Sequence, residues 1–214
     1  MLSFSGAYLL GVTFLHLLPE TYEDGGAKMG FWVLGGFLLQ ILLDQLTNGV
    51  EHGHIHIHHH DEAGHSHRAM LITVFIGLSI HAFMEGLPLD GFAQFQGHGH
   101  PQLLWGILMH KPPEGFALTL LLITLGFSRF RVTIFAVLFA CVTPLGAFAG
   151  SLLENTKFMG GSVIVYVMAL VIGSFFHIAT TILYETEGNA QHTISWQRLL
   201  AITLGIGVSI LTMH

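Results

Sequence analysis

Charge and cysteine are scarce in this chain, and each shortage excludes a class of protein. Only 9% of the 214 residues are charged, whereas soluble domains carry about 25%, so water is not the expected solvent. The single cysteine, Cys141, excludes a disulfide within the chain. Seven Lys and Arg residues without a basic patch argue against nucleic-acid binding. No Gly-x-x-x-x-Gly-Lys-Ser/Thr segment occurs, which argues against an ATP-driven pump.

Long apolar runs take the place of the missing charge, since 52% of the residues are hydrophobic. A helix needs about 20 residues to cross the hydrocarbon core of a bilayer. Seven apolar stretches reach or approach that length: 2–18, 29–48, 69–91, 103–127, 131–153, 161–184 and 197–213. We therefore predict an all-α fold, a polytopic membrane helix bundle of about seven transmembrane helices, in which residues 1–214 form a single transmembrane domain.

Basic residues between the apolar stretches indicate an orientation, because cytoplasmic loops carry an excess of Lys and Arg. With a cytoplasmic N-terminus, the inside loops hold four arginines and the outside loops hold two lysines, namely Arg68, Arg129, Arg131 and Arg198 against Lys28 and Lys157. We expect a plasma (inner) membrane protein with its N-terminus in the cytoplasm and its C-terminus outside.

One low-complexity segment, residues 51–67, joins the second and third spans and is predicted to be a cytoplasmic loop. It contains eight of the sixteen histidines: His52, His54, His56, His58, His59, His60, His65 and His67. Clustered imidazoles with neighbouring carboxylates favour labile binding of borderline metals such as zinc. The alternative is a solvated linker whose histidines are incidental.

Two apolar stretches carry a histidine and a glutamate four residues apart: His81 with Glu85, and His110 with Glu114. Residues at i and i+4 share one face of a helix. Ionisable groups are costly in lipid and usually mark a site or a pathway. Two such helices facing each other would supply two nitrogens and two oxygens, a donor set for one divalent metal.

Prolines lie beside both pairs. Pro88 is three residues after Glu85, and Pro112 and Pro113 lie just before Glu114. Proline leaves a helical carbonyl without its usual partner. Such breaks persist in lipid only where protein, water or an ion satisfies the freed groups. We therefore predict that the metal site lies between two kinked helices.

Lys111 follows His110 directly, and its ammonium could lie beside the two carboxylates in the place of a second metal. The sequence thus predicts a mononuclear His₂Glu₂ site, in which one divalent cation offsets the charge of the buried glutamates. Both imidazoles must be neutral to bind metal, so binding should weaken at acidic pH. The alternative is polar packing in which Lys111 neutralises one glutamate.

Other polar residues are predicted to line the pathway. His16, Glu20 and Asp90 lie toward the predicted outer face, whereas His177 and Glu185 lead inward. The segments around His16 and His177 resemble each other weakly on helices of opposite direction, which favours an inverted repeat. Two more polar residues in the second span, Gln40 and Asp44, are interpreted as helix-contact residues.

The two pairs also resemble motifs of a known family. His81-Ala-Phe-Met-Glu85-Gly86 is similar to the fourth-helix motif of the ZIP family of divalent-metal transporters, and His110-Lys111-Pro-Pro-Glu114 resembles its fifth-helix motif. His16-Leu-Leu-Pro19-Glu20 looks like the end of the family's second helix, and Thr143-Pro144-Leu145-Gly146 resembles a sixth-helix segment. The histidine-rich loop falls where the family has its cytoplasmic loop, so the similarity covers nearly the whole chain.

By this resemblance the chain begins at the family's second helix and lacks the first of eight. Ala82 replaces the usual Asn or Ser, and Lys111 stands where members with two metals have an acidic ligand. The resemblance implies that the first metal site survives and the second is lost. It also implies alternating access, with one helix bundle moving against the other.

These observations together predict a transporter that moves a divalent metal cation toward the cytoplasm, with no catalytic residues and no resident cofactor. The mixed N/O donor set suits Zn²⁺ and would also accept Fe²⁺, Mn²⁺, Co²⁺ or Cd²⁺. The expected partners are the metal ion and the lipid bilayer, and a homodimer is left open. The main alternative is an intramembrane zinc-dependent hydrolase, and a metal sensor or storage protein built around the loop is the third reading.

Overall fold

A computed structural model describes residues 2–47, 65–89, 101–153, 155–185 and 195–212, with the backbone alone at 65–69, 184 and 185. Within these ranges the chain forms seven helices: α1 Leu2–Gly25, α2 Met29–Thr47, α3 His65–Gly86, α4 Pro101–Thr124, α5 Arg129–Leu153, α6 Val163–Glu185 and α7 Trp196–Leu211. A short antiparallel hairpin, β1 Lys157–Phe158 and β2 Gly161–Ser162, connects α5 to α6.

Five of these helices are long and apolar enough to cross a membrane: α1, α2, α5, and the segments Met70–Leu89 of α3 and Val163–Leu183 of α6. The helix α4 has 24 residues, but its polar segment 110–114 lowers its mean hydropathy. The helix α7 has 16 residues and measures about 24 Å at a rise of 1.5 Å per residue. The predicted polytopic helical membrane fold is confirmed, while the inverted repeat stays a prediction.

Two local expectations are corrected by the structure. The helix α1 continues beyond the predicted end at residue 18, because a π-helical turn, Thr13–Leu17, precedes Pro19 and lets the chain continue as the α-helix Leu18–Gly25. The helix α3 begins at His65, so the end of the predicted loop 51–67 is helical. Polar residues are tolerated there because a helix can extend past the hydrocarbon core.

Proline acts differently in the two helices that carry the His/Glu pairs. At Pro88 the α-helix α3 gives way to a 3₁₀ turn, Leu87–Leu89, as expected for a residue that cannot donate a backbone hydrogen bond. The helix α4 instead continues through Pro112 and Pro113 without leaving the helical conformation, and a kink at this point stays a prediction. Neighbouring helices support such prolines in membrane proteins.

Glycines bring three pairs of helices into close backbone contact in the described part of the chain. A Cβ atom at Gly150 of α5 would lie 1.8 Å from the carbonyl oxygen of Leu87, at the end of α3. Gly173 of α6 would place one 1.9 Å from the carbonyl oxygen of Val33 in α2, and Gly205 packs α7 against α1 in the same way. Small residues hold membrane helices together in this manner.

The helix α4 belongs to two hydrophobic cores. Its first half contributes Leu103 and Ile107 to a cluster with side chains of α1 and α6. Its second half contributes Leu118 and Leu121 to a cluster with side chains of α3 and α5. The polar segment 110–114 therefore lies where α4 passes from one group of helices to the other.

An aromatic cluster fixes one end of the bundle. Trp32, Phe158 and Tyr166 pack edge to face, and the Lys28 ammonium donates a hydrogen bond to the Tyr166 hydroxyl at 2.9 Å. The α1–α2 connection and the β1–β2 hairpin with Lys157 thus lie at the same end, which the predicted orientation requires. The side of the membrane that this end faces stays a prediction.

Candidate metal centre

The two His/Glu pairs converge in the interior of the bundle. One possible ligand atom from each of His81, Glu85, His110 and Glu114 lies within 4.8 Å of the other three. The four residues are only 1–3% exposed. The i, i+4 spacing on α3 and on α4 turns each histidine and its glutamate to the same face, and the two faces meet.

The spacing of the four atoms fits a small divalent cation. Nε2 of His81 lies 3.0 Å from Oε1 of Glu85 and 3.3 Å from Oε1 of Glu114. Nε2 of His110 lies 2.6 Å and 3.5 Å from the same two oxygens. A tetrahedral zinc site with bonds near 2.0 Å separates its ligand atoms by about 3.3 Å. The cluster therefore needs only small adjustments to surround an ion of this size.

Both imidazole rings are oriented through their other nitrogen. Nδ1 of His110 donates to the Gly106 carbonyl oxygen at 2.8 Å, and Nδ1 of His81 lies 3.1 Å from the side-chain Oε1 of Gln40. A carbonyl oxygen can only accept a hydrogen bond, so the hydrogen of neutral His110 is on Nδ1. With the same tautomer at His81, both Nε2 lone pairs point at the two Oε1 atoms.

Four acceptor atoms thus face one another in a buried space. Carboxylate oxygens and unprotonated imidazole nitrogens repel each other unless a proton or a metal cation lies between them. A hydrogen bond from Nδ1 to an oxygen acceptor is also the usual second contact of a metal-binding histidine. The donor chemistry of this cluster is therefore compatible with a metal site.

Lys111 occupies the opposite side of the two carboxylates. Its ammonium contacts Oε2 of Glu85 and lies 2.8 Å from Oε2 of Glu114. The two oxygens of each carboxylate therefore have different partners, since Oε1 faces the histidines and Oε2 faces the lysine. The lysine is also 5.7 Å from the ring centre of Phe139. This ammonium contacts the two glutamates through their Oε2 atoms, and a single metal position at the Oε1 atoms on the histidine side stays a prediction.

The surroundings of the cluster are closely packed. A small cavity of about 10 Å³ adjoins the histidine side, roughly the space of one water molecule. It is lined by His81, His110 and Glu114 of the site and by Leu2, Pro113, Ile178 and Ile182. The ring of Phe175 packs edge-on against His110, with 6.1 Å between ring centres. The apolar walls exclude bulk water and strengthen electrostatic interactions inside.

Comparison with known proteins agrees with this geometry. The family model described as ZIP zinc transporter matches residues 46–213. The chain belongs to the ZIP zinc transporter family. It is 27% identical to zinc transporter ZIP1 of Danio rerio, over 88% of this chain and 76% of that protein. It is 24% identical to a zinc transporter ZIP13 homolog of Drosophila melanogaster, over 100% of this chain and 77% of that protein.

Membership in the ZIP family confirms the resemblance derived from the two motifs. The chain is an integral membrane protein grouped with metal transporters rather than with enzymes. In the described ranges, the group of His, Cys, Asp and Glu side chains that could hold a metal ion is the one formed by the two ZIP-like motifs on α3 and α4. The role of these four residues as ligands stays a prediction.

The remaining predicted pathway residues lie outside this cluster. His16 is half-buried in the π-helical turn of α1, with Nε2 3.4 Å from the Ser209 carbonyl oxygen of α7, and Glu20 is exposed on α1. Nε2 of His177 lies 3.6 Å from a carboxylate oxygen of Asp44. Asp90, the Glu185 side chain and the side chains of the eight loop histidines lie outside the described part of the chain.

Gln40 lies between helices, as interpreted from the sequence, but its partners were not predicted. Its side chain contacts His81 of α3 and accepts a hydrogen bond from the Ser174 hydroxyl of α6 at 2.7 Å. Asp44, four residues later, faces α6 in the same way through His177. The i, i+4 spacing of two polar residues on an apolar helix was the available signal, but it did not identify their partners.

Proposed function

We propose that this ZIP family member moves a divalent metal cation, Zn²⁺ in the first place, across the membrane toward the cytoplasm. The ion would bind at a mononuclear site formed by His81, Glu85, His110 and Glu114. The observation that carries this proposal is that two imidazole nitrogens and two carboxylate oxygens, all buried, lie within 4.8 Å of one another. The donor set would also accept Fe²⁺, Mn²⁺, Co²⁺ or Cd²⁺.

The site has a charge suited to temporary binding of a dication. With neutral histidines, the two carboxylates and the Lys111 ammonium give a formal charge of −1, which one divalent cation changes to +1. Lys111 lowers the negative potential that holds the ion. A transport site needs this balance, because binding must be strong enough for entry and weak enough for release.

A polar route leads from the site toward the predicted cytoplasmic end. His81 contacts Gln40 of α2, and the pair formed by Asp44 and His177 lies about one helical turn further along α2 and α6. Both helices run toward the end of the bundle where the histidine-rich loop follows α2. We propose that His177, and then Glu185, pass the ion to the loop, and that His16, Glu20 and Asp90 attract it on the other side.

Loose packing beside α4 is compatible with alternating access. A cavity of about 730 Å³ lies between α4 and α5, lined mostly by apolar side chains, with Lys111, Thr143 and Ser151 as its polar ones. Since α4 also joins two hydrophobic cores, motion of one core relative to the other would separate the two His/Glu pairs. Such separation would release the ion.

Purified full-length protein in liposomes tests the proposal. With Zn²⁺ outside and a zinc-sensitive dye inside, the protein should give uptake that saturates with zinc concentration and that Cd²⁺ inhibits. Liposomes without protein provide the control. If the reconstituted protein, shown to be folded, gives no more uptake than the control for any of the five metals, the proposal fails.

Deleting residues 51–64 is expected to alter uptake only slightly. The loop would collect the ion after its release, whereas the four buried residues determine passage. The initial rate of ⁶⁵Zn uptake should stay within about 3-fold of wild type, less than 1 kcal/mol in activation free energy. A Gly/Ser linker of equal length replaces the segment, so that α2 and α3 stay connected. Complete loss of uptake in this folded variant would contradict the assigned roles.

The hydrolase alternative receives less support. The cavity of about 10 Å³ on the histidine side cannot admit a lipid amide or ester beside the ion. An intramembrane hydrolase would release fatty acid from ceramide-like substrates, and a chelator would stop the release. We expect no chelator-sensitive release from preparations that transport zinc.

A further inference from the structure

We propose that Gln40, held by Ser174, is a positioning residue that fixes the tautomer and the orientation of His81 for metal binding. This inference rests on the proposed function of the four-residue site. Gln40 lies on α2 and Ser174 on α6, so neither belongs to the two helices that carry the ligands. Both are buried, with 1% and 3% exposure.

The contacts define how Gln40 acts. Its Oε1 lies 3.1 Å from Nδ1 of His81 and accepts a hydrogen bond of 2.7 Å from the Ser174 hydroxyl. An amide oxygen has two lone pairs and can accept from both groups at once. In the orientation that the structure shows, the Ser174 hydrogen bond holds the amide oxygen toward His81. The imidazole then keeps its hydrogen on Nδ1 and its lone pair on Nε2.

The alternative tautomer would block the site. Nε2 of His81 is close to Oε1 of both Glu85 and Glu114, at 3.0 Å and 3.3 Å. Without an acceptor at Nδ1, the hydrogen would move to Nε2 and be donated to one of these oxygens. One imidazole nitrogen and one carboxylate oxygen would then be lost to the metal together. Gln40 prevents this by making the Nδ1 tautomer the more stable one.

The two histidines differ in how they are held. His110 donates to the carbonyl oxygen of Gly106, four residues earlier in its own helix, so its orientation moves with α4. His81 depends instead on Gln40, a side chain from another helix, α2. The helix α2 is in turn joined to α6 by close contacts at Gly36 and Gly173. The orientation of His81 therefore depends on how α3 sits against the α2–α6 pair.

Four substitutions test this role, each in protein whose residues 51–64 are replaced by the Gly/Ser linker, so that six of the eight loop histidines are absent. Gln40→Leu removes the acceptor at similar volume, and Gln40→Glu keeps an acceptor oxygen. Ser174→Ala removes the group that fixes the amide, and Gln45→Leu makes the same change as the first variant at an exposed position of α2. Zinc affinity is measured by competition with a chromophoric chelator, and the number of bound imidazoles by X-ray absorption at the zinc edge.

Gln40→Leu should weaken zinc binding by about 10–100-fold, the usual effect of removing an outer partner of a metal-bound histidine. The imidazole count should fall from two to one. Gln40→Glu should restore most of the affinity, Ser174→Ala should show a smaller loss, and Gln45→Leu should match wild type. If Gln40→Leu is not monodisperse, Gln40→Met, with its flexible side chain, takes its place.

The inference is overturned if a folded Gln40→Leu or Gln40→Met protein binds zinc with wild-type affinity through two imidazoles. It is also overturned if Gln40→Glu is as impaired as Gln40→Leu, because that result indicates a packing role. Failure of the proposed function gives a different result, since wild type and Glu114→Ala would then bind zinc equally.

Discussion

Glu114→Ala is expected to abolish zinc uptake. The substitution removes one of two carboxylates that lie within 3.5 Å of both histidine nitrogens. It also leaves the Lys111 ammonium with Glu85 as its remaining carboxylate partner in the cluster, so the lysine competes with the ion for Glu85. Loss of one of the two carboxylates that would bind the ion should reduce uptake by more than about 100-fold, which corresponds to about 2.7 kcal/mol in activation free energy. The measurement is ⁶⁵Zn uptake by the reconstituted protein.

Two companion variants make this result specific. Glu23→Ala removes an exposed carboxylate of α1 and should transport zinc at the wild-type rate. Glu114→Gln keeps the shape of the side chain and should be nearly as inactive as Glu114→Ala, because the negative charge binds the ion. Size-exclusion profiles establish that each variant is folded. Equal zinc uptake by wild type and by well-folded Glu114→Ala would contradict the transport proposal.

Lys111→Asp is expected to change the number of metal ions bound in the membrane region from one to two. Wild type has a formal charge of −1 at the site, and one divalent cation brings it to +1. The aspartate variant has −3, so two divalent cations would bring it to the same +1. The new carboxylate would lie beside the Oε2 atoms of Glu85 and Glu114, which then become free to bind the second ion.

The metal content of purified protein is measured by mass spectrometry, after the Gly/Ser linker has replaced residues 51–64, which removes six of the eight loop histidines. Lys111→Ala removes the ammonium but adds no ligand, and it should keep one ion. Lys157→Asp adds a carboxylate in the β1–β2 hairpin and should also keep one ion. Two ions in wild type, or one in Lys111→Asp, would show that the lysine does not take the place of a second metal.

The sequence contained enough information to predict which side chains meet. The i, i+4 spacing of His81 with Glu85 and of His110 with Glu114 determines that each pair shares a helix face, whatever the neighbours are. The structure adds that the faces meet and that Lys111 contacts both carboxylates. Local periodicity is a reliable guide here, because the helices are long and the ionisable residues have few alternatives in lipid.

Contacts between distant helices could not be predicted in the same way. The hydrogen bonds that join Gln40 to His81 and Ser174 connect residues 41 and 134 positions apart, and no periodicity encodes such a pairing. The continuation of α4 through Pro112 and Pro113 also depends on its neighbours. Proline removes a local hydrogen bond, but tertiary packing decides whether the helix ends.

The division of α4 between two cores is another result of tertiary structure. Its apolar residues are spread along a single run, and the sequence does not show that Leu103 and Leu121 pack in different clusters. This division places His110 and Glu114 at the boundary where relative motion of the helices would act on a bound ion. The structure thus connects metal binding to helix movement through one element.

Anomalous diffraction at the zinc edge, from crystals of the protein soaked with zinc, gives the most direct test of the whole account. We predict one strong peak among Nε2 of His81, Nε2 of His110 and the Oε1 atoms of Glu85 and Glu114, at zinc–ligand distances near 2.0 Å. A peak elsewhere in the membrane region, with these four side chains still bonded only to one another and to Lys111, would contradict it.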